Sequence, residues 1–382
     1  MVDPLEIVTL IITTSPTPTN PSTELLSAVL ESFSRHCPDL LACKVILVID
    51  TYDQITPRAQ LKKGHVTAEG AASFHLYKEK VKSLILTHFQ REPREQPTTQ
   101  KEDVAEFGSP DDPANIVKLI ITQTEDEHVT FIEPTSRLGF GLAVRSALRI
   151  VETPYIWVHQ HDWTLATDIP LGPLLDLMTP LIDKDRAAAV AVDSDDTIVN
   201  HGSMSDTNTT PERSASSGVQ VGIPVKYICL PSIRLLSYAT SDYVHKNPAL
   251  RLLTRSLKGE FTPSSHPDLK IPLTPLFFWY DKPHMACKDH YLARIFPSSL
   301  AMRRGTFIED TVGHRARTQM KEGQWHKWAC WLYYPDNGKQ ICLRHLNGRK
   351  WRGAEAELEY KEYYKAGLHL KQVSEAKSDV AQ

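Results

Sequence analysis

The stretch Tyr155–Trp163, YIWVHQHDW, changes abruptly from bulky apolar residues to His-Gln-His-Asp. An apolar run of this length predicts a buried strand, and alternate residues of a strand point the same way, so His159 and His161 are expected to share one direction. Imidazole nitrogens suit Mn²⁺, Zn²⁺ or Fe, and Asp162 alone suits a harder ion. The alternative is a metal-free site in which protonated imidazoles face a phosphate. The stretch therefore predicts either a metal site or an anion site.

The elements that precede this stretch would bring such strand ends to one edge of a sheet. Residues 6–16, EIVTLIITTSP, predict a buried first strand, and residues 43–53, CKVILVIDTYD, predict a second. Between them, PSTELLSAVLESFSRHCP predicts a helix with Ser22 or Thr23 as its cap. A strand, a helix and a second strand in this order are typical of an α/β fold with a mostly parallel sheet and crossover helices.

Polar residues follow the predicted strands at the point where each strand ends. In an open α/β sheet, ligands bind beyond the carboxyl ends of the strands, so these side chains are expected to line one crevice. They are Thr13, Thr14, Asp50, Asp53, Glu133, Arg137, His159, His161 and Asp162. No GxGxxG follows the first strand, and no GxxxxGK[ST] occurs in the sequence. The first absence weakens a dinucleotide interpretation, and the second excludes a P-loop.

Composition limits the class of protein. The formal net charge of −3 over 382 residues does not suggest a nucleic-acid binder, which usually carries a basic face. The apolar run Ile7–Thr14 is too short for a membrane span, and no basic segment precedes it as in a signal peptide. The six cysteines are scattered, without a CxxC pair or metal-ligand spacing. We expect reduced thiols in a cytoplasmic protein without a membrane span.

The chain is expected to form one continuous domain with two functional halves. Residues 1–200 would form the ligand-binding half, and residues 201–382 a second half with a C-terminal tail. Residues near 90–115 are charged and Pro-rich, which predicts a mobile surface insertion. RAAAVAVDSDD, residues 186–196, predicts a strand, and the Ser/Thr/Gly-rich residues 202–222 predict a loop.

One long run resembles the middle of a nucleotide-sugar glycosyltransferase of the GT-A fold, of the family 2 kind. In FIEPTSRLGFGLAVRSALRIVETPYIWVHQHDW, a strand leads into a turn with Arg137, Gly139 and Gly141, and a helix follows with Arg145 at the family's arginine position. The next strand ends in His-Gln-His-Asp, where the family has Asp-x-Asp. The resemblance extends over about residues 5–50 and 115–200. Beyond these it rests on "IED", residues 308–310, which resembles the acidic pair that supplies the family's catalytic base.

The resemblance implies an activity, a fold and a set of site residues. The fold would be GT-A-like, a mostly parallel sheet flanked by helices, with residues 1–200 binding the nucleotide-sugar donor and residues 201–382 binding the acceptor. The enzyme would move a sugar, with inversion, from a nucleoside diphosphate sugar (UDP slightly favoured) to a hydroxyl-bearing acceptor, with Mn²⁺ or Mg²⁺ as cofactor. Asp310, or failing that Glu309, would be the base. The donor-binding residues would be Thr13, Thr14, Asp50, Arg137, Gly139, Arg145 and Gln160, and the metal ligands His159, His161, Asp162 and His314.

Other interpretations remain open at this stage. A nucleotidyltransferase usually has a Gly-rich, basic loop after the first strand, whereas this chain has TTSPTPTNPS. Loss of Asp-x-Asp favours a catalytically silent domain that binds a glycan or a protein. A further polar cluster, Asp281, His284, Asp289 and His290, follows an apolar run and could form an acceptor wall or a second metal shell.

Overall fold

The computed structural model describes residues 6–89, 98–109, 112–179 and 223–359. The strands are β1 Val8–Thr14, β2 Lys44–Ile49, β3 Gln54–Ile55, β4 His65–Val66, β5 Thr98–Glu106, β6 Ile116–Thr124, β7 Val129–Pro134, β8 Tyr155–Gln160, β9 Trp163–Leu165, β10 Tyr227–Cys229, β11 Gly259–Phe261, β12 Ile271–Pro275, β13 His284–Cys287, β14 Cys330–Tyr333 and β15 Leu343–His345. The α-helices are α1 Glu24–His36, α2 Ala68–His88, α3 Phe140–Leu148, α4 Leu171–Met178, α5 Asp242–His245, α6 Pro248–Leu257, α7 Lys288–Ile295, α8 His314–Lys321 and α9 Trp325–Trp328. A π-helical turn, Glu309–Gly313, leads into α8.

Eleven of these strands form one mixed sheet in the order β11-β12-β14-β10-β13-β8-β1-β2-β7-β6-β5. At its centre β8, β1, β2 and β7 are all parallel, as the first strands and helix predict. The register sets Thr13 beside Val48 on one side and Gln160 on the other, so these strands end level with one another. Farther out, β13 and β6 run antiparallel to their neighbours, and one more parallel pair, β10 with β14, lies beyond β13.

The central strands are buried along nearly their whole length because helices cover both faces of the sheet. Every residue of β1 is buried. The predicted amphipathic helix is α1, which buries Leu25, Leu26, Val29, Leu30 and Phe33 on one face. The sequence pattern of apolar β-branched strands and a period-3.6 helix is therefore confirmed for this part of the chain.

The region near 90–115 contains a strand that the sequence analysis did not predict. Strand β5 pairs antiparallel with β6 from Thr98 to Glu106 at the edge of the sheet. Its first five residues are exposed, which explains why charges are tolerated there and why no alternation of apolar residues is visible. Residues 90–97, 110 and 111 lie outside the described residues, as do the predicted strand 186–196 and the predicted loop 202–222.

The two-stranded pairing of β9 with β15 positions the site. It joins the segment after Gln160 to residues near the C-terminal end of the described chain, with Arg344 opposite Thr164. All six cysteines are buried, free thiols. Among the helices of the described ranges, none combines the length and apolar character needed to cross a bilayer.

Candidate functional site

A cleft of about 880 Å³ opens at the carboxyl ends of β1, β2 and β8. One side of it is formed by residues at these strand ends, and the other by segments from the second half of the chain. Of the residues that the sequence analysis selected, the cleft is lined by Thr13, Thr14, Asp50, Arg137, Gly139, Gln160, His161, Asp162 and Glu309. Strand ends from the first half of the sequence therefore do converge on one crevice.

His161 is held by hydrogen bonds to the first strand. Its Nδ1 accepts the backbone N–H of Ser15 at 3.2 Å, so the proton of the neutral ring lies on Nε2. The Thr14 hydroxyl lies 2.7 Å from the same Nδ1 and donates to it, while the Tyr77 hydroxyl, 2.7 Å away, donates to Thr14 Oγ1. Burial lowers the pKa of His161 and raises that of Tyr77 to about 12. The ring is thus neutral, and its Nδ1 is unavailable to a metal ion.

In the Asp162 carboxylate, one oxygen accepts hydrogen bonds from the protein and the other does not. Its Oδ2 accepts from His345 Nε2 at 3.1 Å and from the Gly348 amide at 3.0 Å. Although burial opposes ionisation, hydrogen bonding to His345 and the nearby imidazoles lower the pKa of Asp162 to about 2. Its Oδ1 is buried and has no protein partner. This carboxylate therefore stays ionised with one oxygen left for a ligand.

Asp50 fastens a neighbouring turn to the end of β2. Its Oδ1 accepts the Leu138 amide at 2.7 Å, and its Oδ2 accepts the Gly139 amide at 2.9 Å. Gly139 has φ +78°, and a Cβ there would lie 2.5 Å from the Gly305 Cα. Only glycine fits this close approach. Asp50 therefore holds the wall of the cleft in place, since both of its oxygens already accept backbone N–H groups.

Arg137 borders the cleft but is already paired with protein groups. Its Nη1 donates to Asp53 Oδ2 at 3.3 Å, and its Nη2 donates to the Lys62 carbonyl at 3.2 Å. Arg304 donates to the other oxygen of Asp53. The Arg137 guanidinium thus links its own turn to Asp53 and Lys62 and also borders the cleft.

The segment 341–350 forms much of the opposite side of the cleft and was missed by the sequence analysis. Pairing of β15 with β9 anchors it, and the His345 ring stacks on Trp163 with centroids 4.4 Å apart. A Cβ at Gly348 would lie 3.0 Å from His161 Nε2, so glycine lets the backbone reach Asp162. Arg349 stacks over the Phe307 ring at 5.3 Å. The run LRHLNGRK carries basic residues around an Asn-Gly turn, and this was the available signal.

A carboxylate pair lies at the second-half side of the cleft. Glu309 Oε2 accepts the Asp281 amide at 3.3 Å, and Asp281 Oδ2 accepts the Glu309 amide at 3.2 Å. Burial, then the charges of Glu309 and Asp310, raise the pKa of Asp281 well above its usual value. Both members of the pair line the cleft, whereas Asp310 is exposed and does not. Of the two candidate bases, Glu309 is therefore the one that lines the cleft.

Five cations line the cleft without an ion pair to any described residue. They come from three segments: Arg234, Lys282, Arg344, Arg349 and Lys350. The Lys282 side chain is mostly buried, and its Nζ lies 4.3 Å from the centroid of the Tyr280 ring. We call this set the cation wall. It makes the cleft suited to a ligand with several negative charges.

Besides Asp310, Asp53 and Glu133, which are not among the lining residues, three more predicted residues do not reach the cleft. His159 is fully buried, its Nδ1 accepts from Trp157 Nε1 at 3.1 Å, and its Nε2 donates to the Trp163 carbonyl at 2.7 Å. Burial lowers the pKa of His159 to about 4. Arg145 donates to the carbonyl of Glu106, the last residue of edge strand β5, and His314 is exposed with its Nδ1 accepting from Arg317. These side chains serve the fold rather than a ligand in the cleft.

The predicted metal ligands consequently do not form a set. His159 has both nitrogens engaged, His161 has its Nδ1 engaged, and His314 lies outside the cleft. Asp162 is the one carboxylate among the four, and its Oδ1 has no protein partner. Within the described ranges, no group of three or more His, Cys, Asp or Glu side chains is arranged to hold a metal ion.

The other predicted polar cluster also separates. Asp281 lines the cleft, but His284 is fully buried with its Nδ1 2.7 Å from the Lys282 carbonyl, and His290 Nε2 lies 3.1 Å from the Trp328 carbonyl. The aromatic residues after Trp325 are buried in the core. The cluster thus contributes one carboxylate and its neighbour Lys282 to the site.

Comparisons with known proteins were made for sequence and for structure. No family model and no curated protein sequence matches the chain. Among solved structures, the mannosyltransferase PcManGT from Pyrobaculum calidifontis in complex with GDP-Man and Mn²⁺ is similar at a TM-score of 0.33 and 11% identity. The alignment covers 88% of this chain and 60% of that protein. A likeness this low leaves function to be argued from the cleft itself.

Proposed function

We propose that the protein is a glycosyltransferase that moves a sugar from a nucleoside diphosphate sugar to a hydroxyl-bearing acceptor. The observation that carries the proposal is the cleft itself. It lies at the carboxyl ends of parallel strands. It combines the carboxylate pair of Asp281 and Glu309 with cations that form no ion pair with the described residues. The sequence resemblance to family 2 enzymes over the same strands supports it.

The donor fits along the strand ends. Its nucleoside would lie between the ends of β1 and β2, near Thr13 and Asp50, and uridine is slightly favoured by the sequence analysis. Its diphosphate would then face Arg349 and Lys350 across the cleft. His161 would offer its Nε2–H to a phosphate oxygen as a neutral donor.

The reaction would be a single displacement. Glu309, the less buried member of the pair, would accept the proton of the acceptor hydroxyl. The acceptor oxygen then bonds to the anomeric carbon as the bond to the diphosphate breaks, and the electron pair of that bond leaves with the diphosphate. Cations already in place offset the charge that develops there. Inversion follows from one displacement and agrees with what the resemblance implies.

A divalent ion has no step in this proposal. Of the residues first predicted as its ligands, His159 has both ring nitrogens engaged, His161 carries its proton on Nε2, and Asp162 has Oδ1 without a protein partner. When bound to a donor diphosphate, Mn²⁺ or Mg²⁺ would supply positive charge beside the leaving group. The cation wall is suited to the same electrostatic task.

Two rival functions are possible. One is a silent domain that binds a nucleotide or glycan without turnover, and the other is a nucleotidyltransferase. The test is incubation with UDP- and GDP-sugars and a panel of hydroxyl acceptors, with and without Mn²⁺. Release of nucleoside diphosphate together with a glycoside is the expected result. Release of pyrophosphate would indicate a nucleotidyltransferase, and nucleotide binding without turnover would indicate the silent domain. Calorimetry in which neither UDP nor GDP binds would overturn the proposal.

A further inference from the structure

Two members of the cation wall lie on the same side of the cleft as the carboxylate pair. Lys282 directly follows Asp281, whose amide and carboxylate are both bonded to Glu309. Arg234 lines the same cleft from the segment after β10, and its charge is close enough to Lys282 to lower the pKa of that amine. Arg349, by contrast, interacts electrostatically with Asp162 and Arg137 at the strand ends.

The Lys282 side chain is unusual because it is mostly buried without an ion pair. It is 9% exposed, and no carboxylate of the described residues pairs with it. Its Nζ lies over the Tyr280 ring at 4.3 Å, which offsets part of the cost of removing an ammonium group from water. Burial lowers the pKa of Lys282, while the Glu309 charge opposes that change.

The fold does not require a charged side chain at Lys282. Lys282 bonds to His284 through its backbone carbonyl, so a residue with any side chain could make this hydrogen bond. Arg234 is exposed and forms no hydrogen bond or ion pair with the described residues. Two cations at a cleft wall that form no ion pair with the described residues are what an anionic group of a ligand requires.

We propose that the acceptor carries an anionic group, a carboxylate or a phosphate, which Lys282 and Arg234 bind beside the acceptor's reactive hydroxyl. The inference rests on the proposed function, because it takes Glu309 as the group that accepts the hydroxyl proton. A base must lie next to the hydroxyl that it deprotonates, and Lys282 lies next to that base. The donor diphosphate is assigned to Arg349 and Lys350, so a second anion site remains for the acceptor.

The test uses bare anions as probes on protein already saturated with UDP or GDP, whichever binds. Methyl phosphate and acetate are titrated separately, and their binding is followed by ligand-observed NMR. We expect one or both to bind, and Lys282→Met to weaken binding about tenfold, the effect of losing one charge-assisted contact. Arg234→Met should weaken it in the same direction, and because Arg234 is exposed that variant tests the site even if Lys282→Met folds poorly.

The matched control is Arg255→Met, an exposed cation on α6 outside the cleft, which should leave anion binding unchanged. Stronger binding of methyl phosphate identifies a phosphorylated acceptor, and stronger binding of acetate identifies an acid. Absence of anion binding to the nucleotide-filled protein, or equal binding in both wall variants and wild type, overturns the inference. Failure of the nucleotide itself to bind would instead remove the proposed function.

Discussion

The two sides of the cleft differ in how far their polar groups are already satisfied. The strand-end wall, which comprises Thr14, Asp50, His161 and Asp162, is buried and hydrogen bonded mainly to the protein itself. The cation wall carries five positive charges that form no ion pair with the described residues.

This difference separates architecture from ligand binding. Buried groups whose hydrogen bonds stay within the protein hold the cleft in shape, and removing them leaves their partners unsatisfied. Exposed charges that form no ion pair with the described residues cost little to remove, and four of the five cations in the cation wall are of this kind. Such charges are available to a charged ligand. We therefore expect substitutions in the strand-end wall to reduce stability, and substitutions in the cation wall to reduce ligand affinity.

The largest effect is expected at Glu309, on the same side of the cleft as Lys282 and Arg234. Glu309→Gln should lower kcat by roughly 10²- to 10⁴-fold, because a general base acts only in the chemical step. Donor affinity should change less than about threefold. Steady-state kinetics and calorimetry together measure both quantities.

Asp310→Asn is the matched control for Glu309→Gln. Asp310 is the adjacent acid, but it is exposed and outside the cleft, so its variant should keep nearly full turnover. If Asp310→Asn is inactive and Glu309→Gln is active, the base is Asp310 and not Glu309. Full activity of both variants would exclude both acids as the base.

The next largest effect is a loss of stability in the strand-end wall. Asp162 has its pKa lowered to about 2, so its charge stabilises the folded state above pH of about 4, and that contribution is lost as the pH falls towards 2. A shift of this size corresponds to about 2 kcal/mol. Asp162→Asn should therefore lower the free energy of unfolding at pH 7 by about 2 kcal/mol and flatten its dependence on pH between 4 and 2.

Denaturant unfolding measured across this pH range tests that expectation. The control is Asp242→Asn, since Asp242 is exposed and pairs with Lys246 on the surface. Its loss should cost less than about 1 kcal/mol. If both variants lose the same free energy of unfolding, the buried Asp162 carboxylate stabilises the fold no more than a surface carboxylate does.

A smaller effect is expected where the walls touch, at Gly348. The Cβ of Gly348→Ala would lie 3.0 Å from His161 Nε2 and 3.1 Å from Asp162 Oδ2, so the loop must move by a few tenths of an ångström. We expect a stability loss of about 1 kcal/mol, typical of slight overpacking. Gly259→Ala, whose Cβ meets nothing closer than 3.9 Å, is the control for thermal unfolding. Identical melting temperatures for the two variants would mean that the contact is not tight.

The strand-end wall could be predicted from sequence because it depends on local patterns. Apolar β-branched runs predict buried strands, and Thr14, Asp50 and Asp162 follow such runs directly. The prediction that the side chains of His159 and His161 point in the same direction is wrong, because side chains alternate only while a strand continues. Strand β8 ends at Gln160, so His159 remains in the core while His161 turns to meet Thr14.

The cation wall could not be predicted in the same way because its contacts are long-range. Arg344 lies opposite Thr164, 180 positions away, and β15 has three residues without any periodicity. Which of Glu309 and Asp310 faces the cleft depends on a π-helical turn, and no simple sequence pattern indicates such a turn. Edge strand β5 was missed because its exposed first half carries polar and charged residues.

The most direct test of the division between walls is nucleotide affinity in the variant that carries both Arg349→Met and Lys350→Met. Calorimetry with UDP and GDP is performed in chelator and in Mn²⁺, with Arg255→Met as the control cation. We predict that wild-type protein binds one nucleotide in chelator, and that the double variant binds it roughly 30- to 900-fold more weakly, at about 1–2 kcal/mol for each of the two charged contacts, with an unchanged melting temperature. Binding that disappears in chelator and is unaffected by the double substitution would contradict the assignment of the diphosphate to the cation wall.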